Sequence, residues 1–184
     1  MPHLLIVTGA PATGKSRLVG DLAARLEARS IAKDEIKETL FDVLGAGDAS
    51  WSRALSDASF ALQFQFAPRL LTAGGLLLLE GNFRPGEHEP ALLGVLEQTG
   101  ATVAQVLCVA SAATRSARLA TRAADPSRHV GHEDHRLQAQ TRNRQTFLEL
   151  PGLRLRFDSE APWASEFANL LQGLRDWYAP IAEL

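Results

Sequence analysis

The stretch Gly9–Ser16, GAPATGKS, constrains the fold more than any other part of the chain. It matches a phosphate-binding loop, in which four residues lie between two glycines and a lysine and a hydroxyl residue follow. The apolar run HLLIVT precedes it, and apolar residues at helical spacing follow it. Such a loop joins a buried strand to a helix, whose N-terminal N–H groups face an anion. The sequence therefore predicts a nucleotide site, the alternative being a glycine turn with a solvated lysine.

Apolar runs typical of strands alternate with helical patterns along the whole chain. Predicted strands cover residues 3–8, 30–33, 76–80, 101–109 and 153–157, and predicted helices cover 15–29, 36–43, 50–72, 90–98, 112–123, 133–148 and 163–178. This alternation predicts an α/β fold with a parallel sheet and right-handed crossovers. Pro68 is expected to kink or divide the helix that contains it.

Composition limits the classes of protein to consider. The length of 184 residues fits one domain, 1–184, and a net charge of −2 argues against a protein that coats long nucleic acid. The single cysteine, Cys108, lies in an apolar run and suits a core thiol in a reducing cytoplasm. No apolar run approaches the roughly 20 residues of a membrane helix. We therefore expect a cytoplasmic protein that makes no use of a membrane, either a monomer or a homodimer.

Three charged residues come at or soon after the ends of strand-like runs and are expected at one edge of the sheet. They are Lys15, Asp34 and Glu80. Ligands of open parallel sheets bind at the carboxyl ends of the strands. Lys15 is expected to reach the β- and γ-phosphates of a nucleotide, and Ser16 and Glu80 are expected to hold Mg²⁺. For Glu80 the alternative is a charge that merely marks the end of a strand.

The segment KDEIKE, residues 33–38, suggests where the terminal phosphate goes. A hydroxyl that attacks a phosphate needs a base to take its proton, and Asp34 is placed to do so. Lys37 follows one helical turn later on the same face and is a candidate for binding an anionic or polar part of the acceptor. Asn82 and Arg84, just beyond Glu80, are further candidate substrate contacts. The alternatives are Asp34 as a helix N-cap and Arg84 as a solvated side chain.

Four motifs occur in the order GAPATGKS, KDEIKE, LLLLEGNFR and RLATR, the last spanning Arg118–Arg122. In this the chain resembles, over about residues 3–158, the small P-loop kinases of the group that includes phage polynucleotide 5′-hydroxyl kinase, chloramphenicol phosphotransferase and zeta-type toxins. The resemblance implies ATP and Mg²⁺, and a three-layer fold with a five-stranded parallel sheet and a helical lid. Ala12 departs from the commonest loop pattern, which has glycine there, and Lys33 stands where arginine is frequent.

The resemblance also implies roles for individual residues. Asp34 would be the general base, and Lys15 and Ser16 would lie at the phosphates and the metal. Arg118 and Arg122 would lie near the transferring phosphate or the adenine, and with Lys15 they would stabilise the transferring group. The expected nucleotide-binding residues of the loop are Gly9, Ala10, Pro11, Ala12, Thr13, Gly14, Lys15, Ser16 and Arg17.

The lid is expected at about residues 124–145. In this part of the chain Arg128, His129 and His132 are candidates for contacting phosphates or acceptor on closure. Seven arginines between residues 112 and 144 face only three acidic residues, a balance that suits closure over a polyphosphate. The alternatives are an exposed polar loop, or a metal site built from His129, His132, Glu133 and His135.

The predicted function is transfer of the γ-phosphate of ATP to a hydroxyl of a small molecule, such as an antibiotic or a sugar. A nucleoside, nucleotide or polynucleotide 5′-hydroxyl kinase is the alternative within the same chemistry. A nucleotide-binding regulatory switch with slow hydrolysis is the alternative of another class. The sequence does not identify the acceptor.

Overall fold

The computed structural model describes residues 1–127, 129, 131 and 146–178. Its strands are β1 His3–Thr8, β2 Arg29–Ala32, β3 Leu76–Glu80, β4 Thr102–Val109 and β5 Leu153–Asp158. Its helices are α1 Lys15–Leu26, α2 Lys33–Leu44, α3 Ala49–Thr72, α4 Glu89–Thr99, α5 Ala112–Ala123 and α6 Trp163–Tyr178. Strands and helices alternate as the sequence pattern predicts.

The five strands form one parallel sheet in the order β2-β3-β1-β4-β5. Helices cover both faces, which makes the predicted three-layer α/β fold correct. On one face α1 and α6 pack against alternate residues of the central strands, among them Leu5 and Val7. On the other face α3 and α4 pack against the intervening residues, among them Leu4 and Ile6. Strands buried on both faces are apolar throughout, and this explains the run LLLL in β3.

The strand order puts the ends of three strands side by side. β1 lies between β3 and β4, and β2 pairs with the other edge of β3. The residues that follow β1, β2 and β3 therefore meet at one edge of the sheet, as the sequence predicts for Lys15, Asp34 and Glu80.

The structure corrects two of the predicted helices. Pro68 does not divide α3, which is continuous from Ala49 to Thr72 and carries the proline near its C-terminal end. The helix predicted for residues 133–148 is wrong at its end, because residues 146–150 are irregular, while residues 132–145 lie outside the described part. Gln105 explains this irregular segment. Its buried amide accepts from the Leu148 N–H at 3.0 Å and donates to the Leu148 carbonyl at 3.3 Å.

Within the described ranges, every helix is too short or too polar to span a lipid bilayer.

The turn before β5 provides a test of this fold. Gly152 has φ +90°, and an added Cβ would lie 2.0 Å from the Val103 carbonyl oxygen of β4. Gly152→Ala should therefore lower the free energy of unfolding by about 3 kcal/mol, since it combines an unfavourable φ with a clash against backbone. Gly94→Ala is the control, because Gly94 lies in α4 with nothing within 4 Å of an added Cβ. This variant should gain up to about 1 kcal/mol. Urea unfolding measures both, and equal stability of the two variants would contradict the described turn.

Candidate active site

The loop between β1 and α1 is closed by its own hydrogen bonds. Gly9 has φ +146°, and an added Cβ would lie 2.2 Å from the carbonyl oxygen of Cys108, so only glycine fits here. The Thr13 hydroxyl and the Lys15 ammonium donate to the Ala10 carbonyl at 2.9 Å and 3.1 Å. Lys15 is buried at the first position of α1. The loop thus holds a buried cation beside a helix N-terminus, which suits an anion.

Ala12, the departure from the usual loop pattern, adopts the left-handed conformation with φ +64°. A residue with a Cβ pays roughly 1–2 kcal/mol for this conformation. Its carbonyl oxygen accepts a hydrogen bond from Arg118 Nη1 at 3.1 Å. Ala12 therefore replaces the usual glycine, while its backbone keeps the left-handed conformation that favours glycine.

Ser16 and Glu80 lie together, as their predicted metal-binding role requires. Ser16 Oγ is 3.4 Å from Glu80 Oε2, and Glu80 is only 3% exposed at the end of β3. Burial raises the pKa of Glu80, and the carboxylates of Asp34 and Glu35 raise it further, against the opposing effects of Lys15 and of the Ser16 hydrogen bond. A buried carboxylate that its surroundings make costly to ionise, next to a hydroxyl, fits an oxygen-liganded divalent cation such as Mg²⁺.

A cleft of about 360 Å³ opens beside these groups. Its lining residues are Ser16, Ala32, Asp34, Glu35, Glu38, Glu80 and Arg122. It brings together the predicted base, the predicted metal ligands and one of the two predicted arginines. Glu35 and Glu38 are lining residues that sequence reasoning missed, although both belong to the same motif as Asp34 and Glu38 follows Asp34 at the helical spacing of four residues.

Asp34 reaches the cleft from the first turn of α2. The N-cap of this helix is Ala32, which has no side-chain cap, so the alternative of Asp34 as N-cap is wrong. Asp34 Oδ1 lies 3.1 Å from Nζ of Lys33, a buried lysine whose ammonium also lies 6.0 Å from the centre of the Phe60 ring. The ion pair orients the carboxylate.

The two arginines of α5 have different surroundings. Arg122 lines the cleft. Arg118 contacts the loop, and besides Ala12 it donates to Ser159 Oγ at 2.9 Å and to the Ser159 carbonyl at 3.2 Å. Ser159 in turn donates from Oγ to the Val109 carbonyl at 3.1 Å. Sequence reasoning missed Ser159, although it directly follows strand β5. Asp34 and Glu80 have comparable positions, since Asp34 comes soon after β2 and Glu80 ends β3.

The remaining candidates of α1, α2 and the segment after β3 lie outside the lining of this cleft. Lys37 is buried and donates to Ser52 Oγ of α3 at 2.8 Å. The Arg17 guanidinium stacks on the Trp163 ring at 3.8 Å. Arg84 pairs with Asp57 at 2.9 Å and with Glu87 at 2.8 Å, and Asn82 is exposed. These contacts link helices or lie at the surface.

His129 packs against the end of α2. Its Nε2 lies 3.0 Å from Asp42 Oδ1, and its ring meets the Phe41 ring edge-on at 5.5 Å. Arg128, His132 and most of the predicted lid lie outside the described residues, as do Glu133 and His135 of the alternative metal site. The part of the chain that the structure describes contains no group of three His, Cys, Asp or Glu side chains that could hold a metal ion.

The parallel sheet, the loop and the cleft at its carboxyl edge define a P-loop protein with a kinase fold. A family model described as AAA domain (AAA_33) matches residues 4–147, and the chain belongs to this family. No protein with curated annotation matches it.

Solved structures support the fold assignment. The "putative kinase" from Chloroflexus aurantiacus J-10-fl is 32% identical, with a TM-score of 0.87 over 95% of this chain and 97% of its own. A sugar kinase from Janibacter sp. HTCC2649 is 11% identical, with a TM-score of 0.66 over 97% and 98% of the two chains. A gluconokinase from Sinorhizobium meliloti 1021 is 14% identical, with a TM-score of 0.57 over 97% and 94%. The last two are similar to this chain in fold alone.

The raised pKa of Glu80 predicts a pH-dependent cost in stability. Between its ordinary pKa and its raised folded-state pKa the folded protein holds more protons than the unfolded chain, so stability falls as pH rises through this window. Glutamine cannot ionise. Glu80→Gln should therefore unfold at a higher temperature than wild type at pH 7–8, while weakening Mg²⁺-dependent ATP binding.

Thermal unfolding in metal-free buffer from pH 4 to pH 8 measures this difference. It should shrink as pH falls toward the ordinary glutamate pKa of about 4.3. Glu97→Gln, exposed on α4, is the control and should show little change. A Glu80→Gln variant less stable than wild type at pH 8 would contradict the prediction.

Proposed function

We propose that the protein transfers the γ-phosphate of ATP to a hydroxyl group of a small molecule, with Mg²⁺. The observation that carries this proposal is the cleft in which Asp34 meets Ser16, Glu80 and Arg122 beside the phosphate-binding loop. A carboxylate in that place suits transfer to a hydroxyl, because the hydroxyl must lose a proton as it attacks.

Different residues of the chain have different roles in the transfer. The N–H groups of the loop and Lys15 hold the phosphates, and Arg122 faces the cleft where charge develops. The acceptor oxygen forms a bond to the γ-phosphorus while the bond to the β,γ-bridging oxygen breaks and ADP leaves. Asp34, oriented by Lys33, takes the acceptor proton. Mg²⁺ bound at Ser16 and Glu80 would neutralise charge on the phosphate oxygens.

The contacts of Arg118 favour a different role from that of Arg122. Its guanidinium is engaged by Ala12 and Ser159, so we assign it to the support of the loop and Arg122 to the transferring phosphate. Lys37, whose ammonium bonds Ser52, suits a link between α2 and α3. Roles in acceptor binding for Asn82, Arg84 and His129 stay predictions, as do those of Arg128 and His132.

The charge of the cleft bears on the class of acceptor. Glu35 and Glu38 add two carboxylates to its wall. Carboxylates accept hydrogen bonds from hydroxyl and amine groups and repel anions. We therefore propose a neutral or amine-bearing polyhydroxyl compound, such as a sugar or an antibiotic, over a nucleotide or another anion. The same proposal includes a cytoplasmic localisation. It also includes membership of the group of polynucleotide kinase, chloramphenicol phosphotransferase and zeta-type toxins.

Asp34→Asn tests the transfer directly. The change keeps the shape of the side chain and removes the base, so transfer of label from γ-labelled ATP should fall about 10²- to 10⁴-fold. Binding of ATP should change by no more than about twofold, since Asp34 serves the acceptor. The acceptors are pooled antibiotics, nucleosides and oligonucleotides, with neutral, amine-bearing and acidic sugars of matched size. Asp176→Asn, exposed on α6, is the control and should transfer label at the wild-type rate.

Two results would contradict the proposal. One is free phosphate as the only product across all pools, formed equally fast by wild type and Asp34→Asn, which favours a regulatory switch. The other is efficient transfer that Asp34→Asn leaves intact. Label on oligonucleotides or nucleosides alone would keep the kinase and replace the acceptor class.

A further inference from the structure

A chain of hydrogen bonds connects the end of β4 to the phosphate-binding loop through two side chains. Ser159 Oγ donates to the Val109 carbonyl at 3.1 Å, and the Ser159 N–H donates to the same oxygen at 3.1 Å. Arg118 Nη1 donates to Ser159 Oγ at 2.9 Å and to the Ala12 carbonyl at 3.1 Å. Ser159 is therefore fixed at the end of the sheet, and the guanidinium is fixed by Ser159.

The last bond of this chain acts on the most strained residue of the loop. Ala12 has φ +64°, where its methyl group is unfavourable, and it is buried, with 4% of its surface exposed. Within the described residues the only other non-glycine with positive φ is Glu27, which ends α1. A glycine at position 12 would adopt this conformation without steric cost. With alanine there, the loop depends on outside contacts to hold its shape.

The direction of the Ala12 carbonyl matters for anion binding. A trans peptide is planar, so its C=O and N–H groups point in opposite directions. The bond from Arg118 to the Ala12 oxygen therefore also fixes the Thr13 N–H, which points away from Arg118. A phosphate-binding loop works through the alignment of its N–H groups. Misalignment of this peptide would weaken nucleotide binding with no loss of a residue that touches the nucleotide.

We propose that Ser159 is a positioning residue for the nucleotide site, which holds Arg118 so that Arg118 holds the left-handed Ala12 peptide in its phosphate-binding orientation. Ser159 acts through other residues and needs no contact with the nucleotide. The role follows from the alanine at position 12, and a loop with glycine there would need the support less. The inference concerns nucleotide binding and stands independently of the acceptor.

The test combines Ser159→Ala with Ala12→Gly. Ser159→Ala removes the hydroxyl that accepts from Arg118 Nη1, keeps the carbonyl that accepts from Arg118 Nη2, and leaves every charge in place. It should weaken binding of a non-hydrolysable ATP analogue with Mg²⁺ about 5- to 10-fold, the effect of one or two net hydrogen bonds. Ala12→Gly in the same chain should restore at least half of that loss on a logarithmic scale. The affinity of Ala12→Gly alone is the reference against which the double variant is compared.

Isothermal titration calorimetry measures the four affinities, well below the unfolding temperature of each variant. Ser165→Ala is a matched control, because Ser165, in the first turn of α6, also donates a side-chain hydrogen bond to a backbone carbonyl, that of Pro162 at 3.0 Å. It should bind as wild type does. Because every variant is fully folded at the temperature of the titration, rescue by Ala12→Gly reports the conformation of the loop and not a general gain of stability.

Two results would overturn the inference. Binding by Ser159→Ala at wild-type affinity would show that the loop does not need the serine. Weakened binding that Ala12→Gly leaves unchanged would show that the serine acts elsewhere than on the Ala12 peptide. Neither result depends on phosphate transfer, so failure of the proposed kinase activity would be seen separately.

Discussion

The close approach of Gly9 to the carbonyl of Cys108 is the constraint on which the rest of the site depends. β1 is the central strand, and the residue that follows it, Gly9, passes so near β4 that no side chain fits at this position. From there the loop closes on the Ala10 carbonyl and leads into α1 with Lys15 and Ser16 in place. Since β3 is the other neighbour of β1, the pairing of the two strands brings Glu80 within 3.4 Å of Ser16.

The site contains two elements that are unfavourable in the free protein. Glu80 is buried beside other carboxylates, and its raised pKa records the cost. Ala12 is a second strained element, held by a guanidinium and a serine. Strain of this kind persists where the surroundings determine the conformation strongly, and it is concentrated at functional sites. Glu80 lines the cleft, where a bound cation would offset the cost of its ionisation, and Ala12 lies in the loop between β1 and α1.

Sequence reasoning was most effective where one local pattern determines the structure. Strands buried on both faces leave apolar runs, and residues at the ends of such runs led to Lys15, Asp34 and Glu80. It was less effective where packing between elements decides which way a side chain points. The spacing of Arg118 and Arg122 places both on one face of α5, yet one contacts the loop and the other lines the cleft. Likewise Lys37 lies one turn from Asp34, but its ammonium bonds Ser52 of α3, which no local pattern reveals. Ser159 has no motif of its own.

A crystal structure with Mg²⁺ and a non-hydrolysable ATP analogue tests the central claim most directly, that the cleft aligns a nucleotide for transfer to a hydroxyl. We expect a metal about 2.1 Å from Ser16 Oγ with Glu80 in its coordination shell or bonded to its water ligands. We also expect a γ-phosphate that faces Asp34 across the cleft, with Arg122 at its oxygens. A γ-phosphate turned away from Asp34, or a metal held without Ser16 and Glu80, would contradict it.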